Sequence, residues 1–210
     1  MARILITSGP TRQYLDPVRY LTNGSSGRMG QALAAAAIEL GHEVVIVSGP
    51  VVVEYPAGAR VVSVISTEDL LAACEREFPA CDGVIGAAAP CDYRPIKVAE
   101  QKLKKTDDGL DLHLIETPDV MATLGKNKRP HQWLVGFALE TDDQRFRALT
   151  KLQKKSCDLM VLNGPAAMDA LDNSVEVLSP QGEVLGQLSG SKTAVAQGIL
   201  KIVQSRLVDR

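Results

Sequence analysis

The chain has 210 residues, of which 45% are hydrophobic and 23% are charged, and its formal net charge is −2. This composition is typical of a soluble globular protein, and apolar residues recur along the whole chain, which excludes a disordered polypeptide. The near-neutral charge argues against a general nucleic-acid-binding protein, because phosphate contacts need a basic face. The length fits one large domain, and we expect residues 1–210 to form it.

Signals for membrane insertion, export and metal binding are missing from the sequence. The longest apolar run near the start, residues 32–38, is far shorter than the ~20 residues of a membrane span, and residues 1–4 lack the layout of a signal peptide. We therefore expect a cytoplasmic protein with no membrane partner. Neither a zinc site nor a disulfide framework is expected, because no CxxC pair and no metal-ligand spacing occurs among Cys74, Cys81, Cys91, Cys157, His42, His113 and His131.

Apolar, β-branched runs alternate with helical segments along most of the chain. The strand-like runs are residues 3–7, 43–48, 60–65, 82–87, 133–137 and 159–163. The helical segments are residues 30–40, 67–77, 118–125 and 142–155. Strands without polar alternation are typical of parallel sheets covered on both faces. The pattern predicts an α/β fold with a doubly wound, mostly parallel, Rossmann-like sheet flanked by helices.

Two stretches break this alternation. Residues 102–114 carry an Asp-Gly pair between two arms, and residues 174–188 carry a Gln-Gly pair between two strand-like arms. Such pairs between extended arms are typical of tight turns. Both stretches are therefore predicted to be β-hairpin insertions.

The last segment, residues 192–207, has helical spacing and is expected to pack on the sheet. The Gly-Ser-Lys-Thr sequence at its start lacks the full spacing of a P-loop. Ser189 or Ser191 is therefore interpreted as the cap of this helix.

The loop after the first strand, residues 7–30, is rich in small residues ahead of the predicted helix. Small residues let backbone N–H groups approach a phosphate, and a helix N-terminus favours negative charge. Glycines at helix starts are equally typical of close packing, so both interpretations remain open. A dinucleotide fingerprint does not fit Gly24, Gly27 and Gly30, because they lie well downstream of the first strand and the second strand ends without an acidic residue.

The loop after residue 87 leads through Asp92 into a stretch that contains Lys97, Lys102, Lys104 and Lys105. Asp92 could hold ribose hydroxyls, and Lys102 could neutralise a phosphate whose charge grows during transfer. A solvated basic hairpin with Asp92 in a turn is the alternative. Cys91 is interpreted as a small buried thiol and not as a nucleophile, because no histidine is close in sequence.

Three further lysines, Lys151, Lys154 and Lys155, lie near the end of the predicted helix 142–155. Lysines at this position interact favourably with the helix dipole. From the residues alone, stabilisation of the helix end is the interpretation that we favour.

Taken together, these segments resemble the phosphopantothenate–cysteine ligase domain, also called phosphopantothenoylcysteine synthetase, of coenzyme A biosynthesis. The motifs that match it extend in order over nearly the whole chain. They are Thr7-Ser8-Gly9-Pro10-Thr11-Arg12, Leu15-Asp16-Pro17-Val18-Arg19-Tyr20, Asn23 with Ser25-Ser26-Gly27-Arg28-Met29-Gly30, Val47-Ser48-Gly49-Pro50, Asp92-Tyr93-Arg94-Pro95, Lys102-Leu103-Lys104-Lys105, Thr117-Pro118-Asp119, Val135-Gly136-Phe137-Ala138, Glu140-Thr141 and residues 151–163.

The resemblance implies a Mg²⁺- and CTP-dependent ligase acting on 4'-phosphopantothenate and L-cysteine. The substrate carboxylate attacks the α-phosphate of CTP, pyrophosphate leaves, and the cysteine amine captures the acyl-cytidylate to form an amide. By resemblance, Asn23 holds the acyl-phosphate intermediate, and Lys102 stabilises charge during nucleotidyl transfer. Arg19 matches an arginine that the family needs for activity, and the active sites are expected near the interface of a homodimer.

The resemblance also implies a nucleotide site. The residues that match its CTP-binding positions are Ser25, Ser26, Gly27, Gly86, Ala87, Ala88, Asp92, Lys102, Pro118, Asp119, Val120, Met121, Phe137, Lys151 and Lys155. No flavin is expected, because the flavin belongs to a decarboxylase half that is often fused ahead of this domain, and nothing precedes Met1.

Five residues at four places depart from the pattern of the family. They are Gly24, Pro90-Cys91, Leu139 and Gly164. Two other functions therefore remain open beside the ligase. One is an NAD(P)-dependent oxidoreductase on the same sheet, and the other is a nonenzymatic nucleotide-binding module in which the Pro90-Cys91 change has removed activity. The sequence leaves the choice between CTP and ATP open.

Overall fold

The computed structural model describes residues 1–105, 109–139, 142–163 and 172–209. Its strands are β1 (Arg3–Ser8), β2 (Arg12–Tyr14), β3 (Tyr20–Thr22), β4 (Glu43–Ser48), β5 (Ala59–Ser63), β6 (Gly83–Gly86), β7 (Tyr93–Pro95), β8 (Leu114–Glu116), β9 (Trp133–Leu139), β10 (Leu159–Asn163), β11 (Asp172–Leu178) and β12 (Val184–Ser191). Its α-helices are α1 (Arg28–Glu39), α2 (Thr67–Glu77), α3 (Val120–Asn127), α4 (Gln144–Lys154) and α5 (Lys192–Val203).

Eight strands form the main sheet in the order β12-β11-β10-β9-β6-β1-β4-β5. The pairs from β5 through β10 are all parallel, whereas β11 is antiparallel to both β10 and β12. The six parallel strands follow the 3-2-1-4-5-6 order of doubly wound folds, whose direction of winding reverses between β1 and β6. The predicted fold class is therefore confirmed.

The core lies in two layers, one on each face of this sheet. Successive side chains of a strand point to opposite faces, so Ile4 and Ile6 pack with α1 and α5, whereas Leu5 packs with the layer under α2, α3 and α4. All three side chains are completely buried. Both faces of the parallel strands are thus covered, which explains why their sequences lack polar alternation.

The end of the chain follows the sequence interpretation in part. The hairpin predicted at 174–188 is present as β11 and β12, but it extends the edge of the main sheet and is not a separate insertion. Ser191 caps α5, since its hydroxyl accepts a hydrogen bond from Ala194 N at 3.2 Å. A π-helical turn, Gln204–Val208, follows α5.

The hairpin predicted at 102–114 is wrong. The described residues 102–105 and 109–113 contain no strand, and Asp108 lies outside the described residues. The arm that begins at Leu114 pairs instead with β7, in the register Tyr93 to Glu116. The Asp-Gly pair is a local turn signal, and it was outweighed by pairing with a segment some 20 residues earlier. A second short ribbon, formed by β2 and β3, was not predicted from the sequence.

Gly30 provides a test of how α1 packs on β1. A Cβ at this position would lie 2.1 Å from Ser8 Oγ and 2.4 Å from Ser8 Cβ, both buried. We expect Gly30→Ala to lower the free energy of unfolding by about 1–3 kcal/mol, because overpacking forces the strand and helix apart. Gly24→Ala is the matched control, since no atom lies within 4 Å of its added Cβ. Urea unfolding measures both, and equal midpoints for the two variants would show that the contact is not tight.

Candidate active site

The loops after β1 and β6 run side by side at the carboxyl edge of the sheet. Ala87 N donates to Thr7 O at 3.2 Å, and Ala89 N donates to Gly9 O at 2.9 Å. Ala88 N also donates to the Thr7 hydroxyl at 3.2 Å. These bonds join the two strands at which the winding reverses, which is where open α/β sheets bind their ligands.

A cavity of about 340 Å³ opens at this edge. Its volume is within the range of small-ligand sites. Most of the nucleotide residues expected from the sequence line it, namely Gly86, Ala88, Asp92, Pro118, Asp119, Val120, Met121, Phe137, Lys151 and Lys155. Other lining residues were not assigned to it from the sequence, and they include Thr7, Leu70, Pro90, Cys91, Tyr93, Glu116, Thr117, Gly136, Lys154 and Met160.

Three threonines hold the backbone of Cys91 at the wall of the cavity. Cys91 N donates to Thr11 Oγ1 at 2.8 Å, and Cys91 O accepts from Thr67 Oγ1 at 3.1 Å and from Thr117 Oγ1 at 2.6 Å. The bonds come from three separate segments of the chain. They fix the loop on which Asp92 is presented to the cavity.

The Cys91 thiol is buried, as expected from the sequence. Its Sγ donates to Thr11 O at 3.5 Å and to Leu21 O at 3.6 Å. Burial raises the pKa of this thiol despite the opposing hydrogen bond with Thr11. A neutral buried thiol is a poor nucleophile, so the geometry favours a packing role.

Asp119 and Lys155 form an ion pair across the cavity wall. Asp119 caps α3, since its Oδ1 accepts from Ala122 N at 3.0 Å, and the same oxygen lies 3.2 Å from Lys155 Nζ. With Lys151 and Lys154 on the same helix end, the wall carries three ammonium groups. Such a wall is suited to a polyanionic ligand. Besides interacting with the helix dipole, as the sequence suggested, these lysines therefore give the cavity wall a positive charge.

Asn23 lies at the rim of the cavity. Its amide Nδ2 donates to Pro90 O at 2.8 Å and to Ala89 O at 3.3 Å, and Pro90 itself lines the cavity. The amide is exposed, so the same group can turn toward a ligand.

Ser25, Ser26 and Gly27 follow Asn23 and lead into α1 without lining the cavity. Gly27 is the N-cap, with φ of 76°, and no side chain caps the helix. Ser8 Oγ donates to Gly27 O at 3.2 Å, which anchors the turn to β1. Uncapped N–H groups in a first turn are able to bind an anion, so both the phosphate and the packing interpretation of these glycines fit the geometry.

Arg19 and Lys102 also lie outside the lining of the cavity. Arg19 forms an ion pair with the buried Asp16 at 2.7 Å and does not point into the cavity wall. Lys102 is exposed in a stretch without regular structure. Ala87 likewise is not part of the lining. Glu140, Thr141 and Gly164, which entered the family resemblance, lie outside the described residues.

The described residues contain no group of three or more His, Cys, Asp or Glu side chains placed to hold a metal ion. Asp92 and Glu116 do line the cavity and are exposed. Since Mg²⁺ is held by one or two carboxylates together with substrate phosphates, these two residues fit a cation carried by a triphosphate.

No helix of the described residues is long and apolar enough to cross a membrane.

Together, the sheet order and the cavity define a doubly wound α/β protein with a polar cavity where the winding reverses. The sequence profile of the family described as DNA/pantothenate metabolism flavoprotein C-terminal domain matches residues 1–207. The chain belongs to this family. The resemblance found in the motifs is therefore confirmed.

Individual relatives agree with this assignment. The chain is 42% identical over 208 residues to the coenzyme A biosynthesis bifunctional protein CoaBC of Vibrio vulnificus strain YJ016, covering 96% of this chain and 52% of the relative. It is 39% identical to the crystal structure of the C-terminal domain of a CoaBC protein, with a TM-score of 0.85, covering 99% of this chain and 96% of that one. A Cab2 variant in complex with phosphopantothenate-cysteine shares the fold at 16% identity, with a TM-score of 0.80 over 99% of this chain and 86% of that chain.

The chain thus spans about half the length of the curated relatives that it matches.

Proposed function

We propose that this chain catalyses the CTP-dependent ligation of 4'-phosphopantothenate to L-cysteine in coenzyme A biosynthesis. The observation that carries the proposal is the cavity beside β1 and β6. This chain belongs to the family, and its cavity is lined by most of the residues that match the CTP-binding positions of the ligases. The solved Cab2 complex, which holds phosphopantothenate-cysteine, supports the same substrate class.

The reaction has to activate a carboxylate, since carboxylate oxygen is a poor leaving group. In the first step a carboxylate oxygen of 4'-phosphopantothenate bonds to the α-phosphorus of CTP, and the bond to the pyrophosphate oxygen breaks. In the second step the cysteine amine bonds to the acyl carbon, loses a proton and displaces CMP. The products are an amide, pyrophosphate and CMP.

The residues of the chain divide these tasks. Lys151 and Lys155 attract the triphosphate into the cavity, and Lys102 stabilises the charge that grows during nucleotidyl transfer. The Asn23 amide, at the rim, donates to the acyl-phosphate intermediate. Asp92 would hold the ribose hydroxyls of the nucleotide or, together with Glu116, a Mg²⁺ ion on the triphosphate, where the cation neutralises negative charge.

Product formation tests the proposal. Purified protein is incubated with Mg²⁺, 4'-phosphopantothenate, L-cysteine and either CTP or ATP, and the amide is identified by mass spectrometry. We expect 4'-phosphopantothenoylcysteine with CTP, and none when any component is omitted. Binding of CTP without product would support the nonenzymatic module, and product with ATP alone would revise the nucleotide. An NAD(P)-dependent oxidoreductase would show itself by binding of NAD or NADP in a thermal-shift assay, which we do not expect.

We also propose that the chain forms a homodimer through the two small ribbons, β2–β3 and β7–β8. Exposed large apolar side chains gather on the ribbons and the adjoining chain, namely Val18, Tyr20, Tyr93, Ile96, Val98, Leu110, Leu112 and Leu114. Apolar surface of this kind is typical of contact sites between proteins. A second copy would cover it close to the segment that carries Lys102.

Light scattering tests the dimer. We expect the mass of two chains for the unaltered protein and of one chain for Ile96→Lys, because a buried ammonium without a partner opposes association. Val52→Lys is the matched control, since Val52 is also apolar and is even more exposed than Ile96, but lies outside the ribbons. A monomeric unaltered protein would contradict the proposal.

A further inference from the structure

The turn between β2 and β3 is built around one buried carboxylate. Asp16 is fully buried, and its Oδ1 accepts hydrogen bonds from Val18 N and Arg19 N, both at 2.8 Å. Its Oδ2 accepts from Arg19 Nε at 2.9 Å and from Leu103 N at 3.1 Å. Both oxygens are thus saturated with donors, one of which comes from a distant part of the chain.

These donors keep Asp16 ionised. Burial by itself would raise the pKa of the carboxyl group, but the N–H groups of Val18, Arg19 and Leu103 and the Arg19 guanidinium outweigh it and hold the pKa well below its usual value. A permanently charged group with fixed donors is a rigid anchor over the whole neutral range of pH.

The same turn holds the segment around Lys102 at two points. Both backbone polar groups of Leu103 are held, since its N–H donates to Asp16 and its carbonyl oxygen accepts from Arg19 Nη2. Four residues earlier, Ala99 N donates to Leu15 O at 2.9 Å. Lys102 therefore lies between two anchored residues in a stretch that has no helix or strand of its own.

We propose that Asp16 is a positioning residue for the ligation reaction, and that it acts by fixing, together with Arg19, the backbone on which Lys102 is carried. This inference rests on the proposed function for its kinetic part only. Arg19, which the family resemblance placed among the residues needed for activity, then acts through Leu103 O and the carboxylate. The side chain of Asp16 does not line the cavity and has no contact with substrate.

Hydrogen exchange tests the anchoring without reference to activity. In Asp16→Asn the negative charge is lost, and the NH₂ of the new side chain faces N–H donors with which it cannot form hydrogen bonds. We therefore expect the amides of residues 99–105 to exchange about 10-fold faster or more, while those of β1 are unchanged. Unchanged exchange at Leu103 overturns the proposal, whether or not the protein proves to be a ligase.

Kinetics then separates positioning from general stability. Asp16→Asn is expected to lower kcat for pyrophosphate release about 100-fold with little change in the KM for CTP, because a misplacement near 1 Å has effects of this size. Combined with Lys102→Gln, it should slow the reaction no further than Lys102→Gln alone. Multiplying effects in the double variant would overturn the proposal.

Two further variants serve as a control and as a substitute for Asp16→Asn. Asp158→Asn is the control, since Asp158 also accepts a backbone N–H, from Leu134 at 2.8 Å, and pairs with Lys128, but lies directly before β10. It should leave kcat unchanged, and an equal loss of kcat would overturn the proposal. If Asp16→Asn does not fold, Arg19→Lys replaces it, because the charge beside Asp16 is kept while the planar fork that reaches Leu103 O is removed. The same exchange and kinetic outcomes then decide.

Discussion

Lys102→Gln is expected to lower nucleotide-dependent pyrophosphate release about 10²–10³-fold, the usual effect of removing one group that stabilises transition-state charge. Glutamine is one bond shorter than lysine and can donate a hydrogen bond, but it has no charge to offset the growing negative charge on the phosphates. Lys102 is exposed, so the thermal midpoint should change little.

Lys104→Gln is the matched control for this substitution. Lys104 is equally exposed and lies two residues along the same segment, but it has no assigned role. We expect it to change pyrophosphate release less than 3-fold, roughly the effect of removing one screened surface charge. Normal release by Lys102→Gln would remove this lysine from the mechanism, and equal losses in both variants would indicate a general effect of positive charge.

Asn23→Asp should abolish most of the amide formation. The Asn23 amide donates to two carbonyl oxygens, of Ala89 and Pro90, and a carboxylate in its place would repel both. It would also put a negative charge beside an acyl-phosphate. We expect the loss of this donor to slow steady-state formation of the amide about 10²-fold or more, either because the first half-reaction fails or because the intermediate escapes.

The two half-reactions distinguish these routes. Pyrophosphate release without cysteine reports the first step, and the amide measured by mass spectrometry reports both. Asn127→Asp provides the same chemical change at the end of α3, away from the cavity lining, and should behave as the unaltered protein. Unchanged amide formation by Asn23→Asp would exclude Asn23 from holding the intermediate.

The central sheet could be predicted from the sequence because its strands carry their own signal. The bounds of β4, β10 and α2 agree with those predicted. The two strands are continuous apolar runs buried on both faces, and α2 begins at a capping box in which Ser66 Oγ accepts from Asp69 N at 3.0 Å. Such signals are local, so a single sequence contains them.

The small ribbons could not be predicted in the same way. Each of β2, β3, β7 and β8 is three residues long, and β8 pairs with a strand that precedes it by some 20 residues. Pairing across that distance depends on contacts with other segments and not on a local pattern. The Asp-Gly pair at 108–109 gave a competing local signal, which produced the wrong hairpin.

The candidate site, like the fold, could be predicted from the sequence only in part. Asp92, Asp119 and Lys155 could be assigned to one nucleotide site because they match positions of the family resemblance, and all three line the cavity. Thr67 was missed because its role depends on a hydrogen bond to the backbone carbonyl of Cys91, which no local pattern indicates. Glu116 was also missed. Asp16 was part of a matching motif, but only the fold shows that it holds Leu103.

The most direct test of the ligase proposal is pyrophosphate release by the purified protein with Mg²⁺ and 4'-phosphopantothenate, in which CTP is compared with ATP, each with and without L-cysteine. We predict release that requires both phosphopantothenate and CTP and that is sustained by cysteine. No release with either nucleotide would contradict a ligase function and leave a nucleotide-binding protein of the same fold.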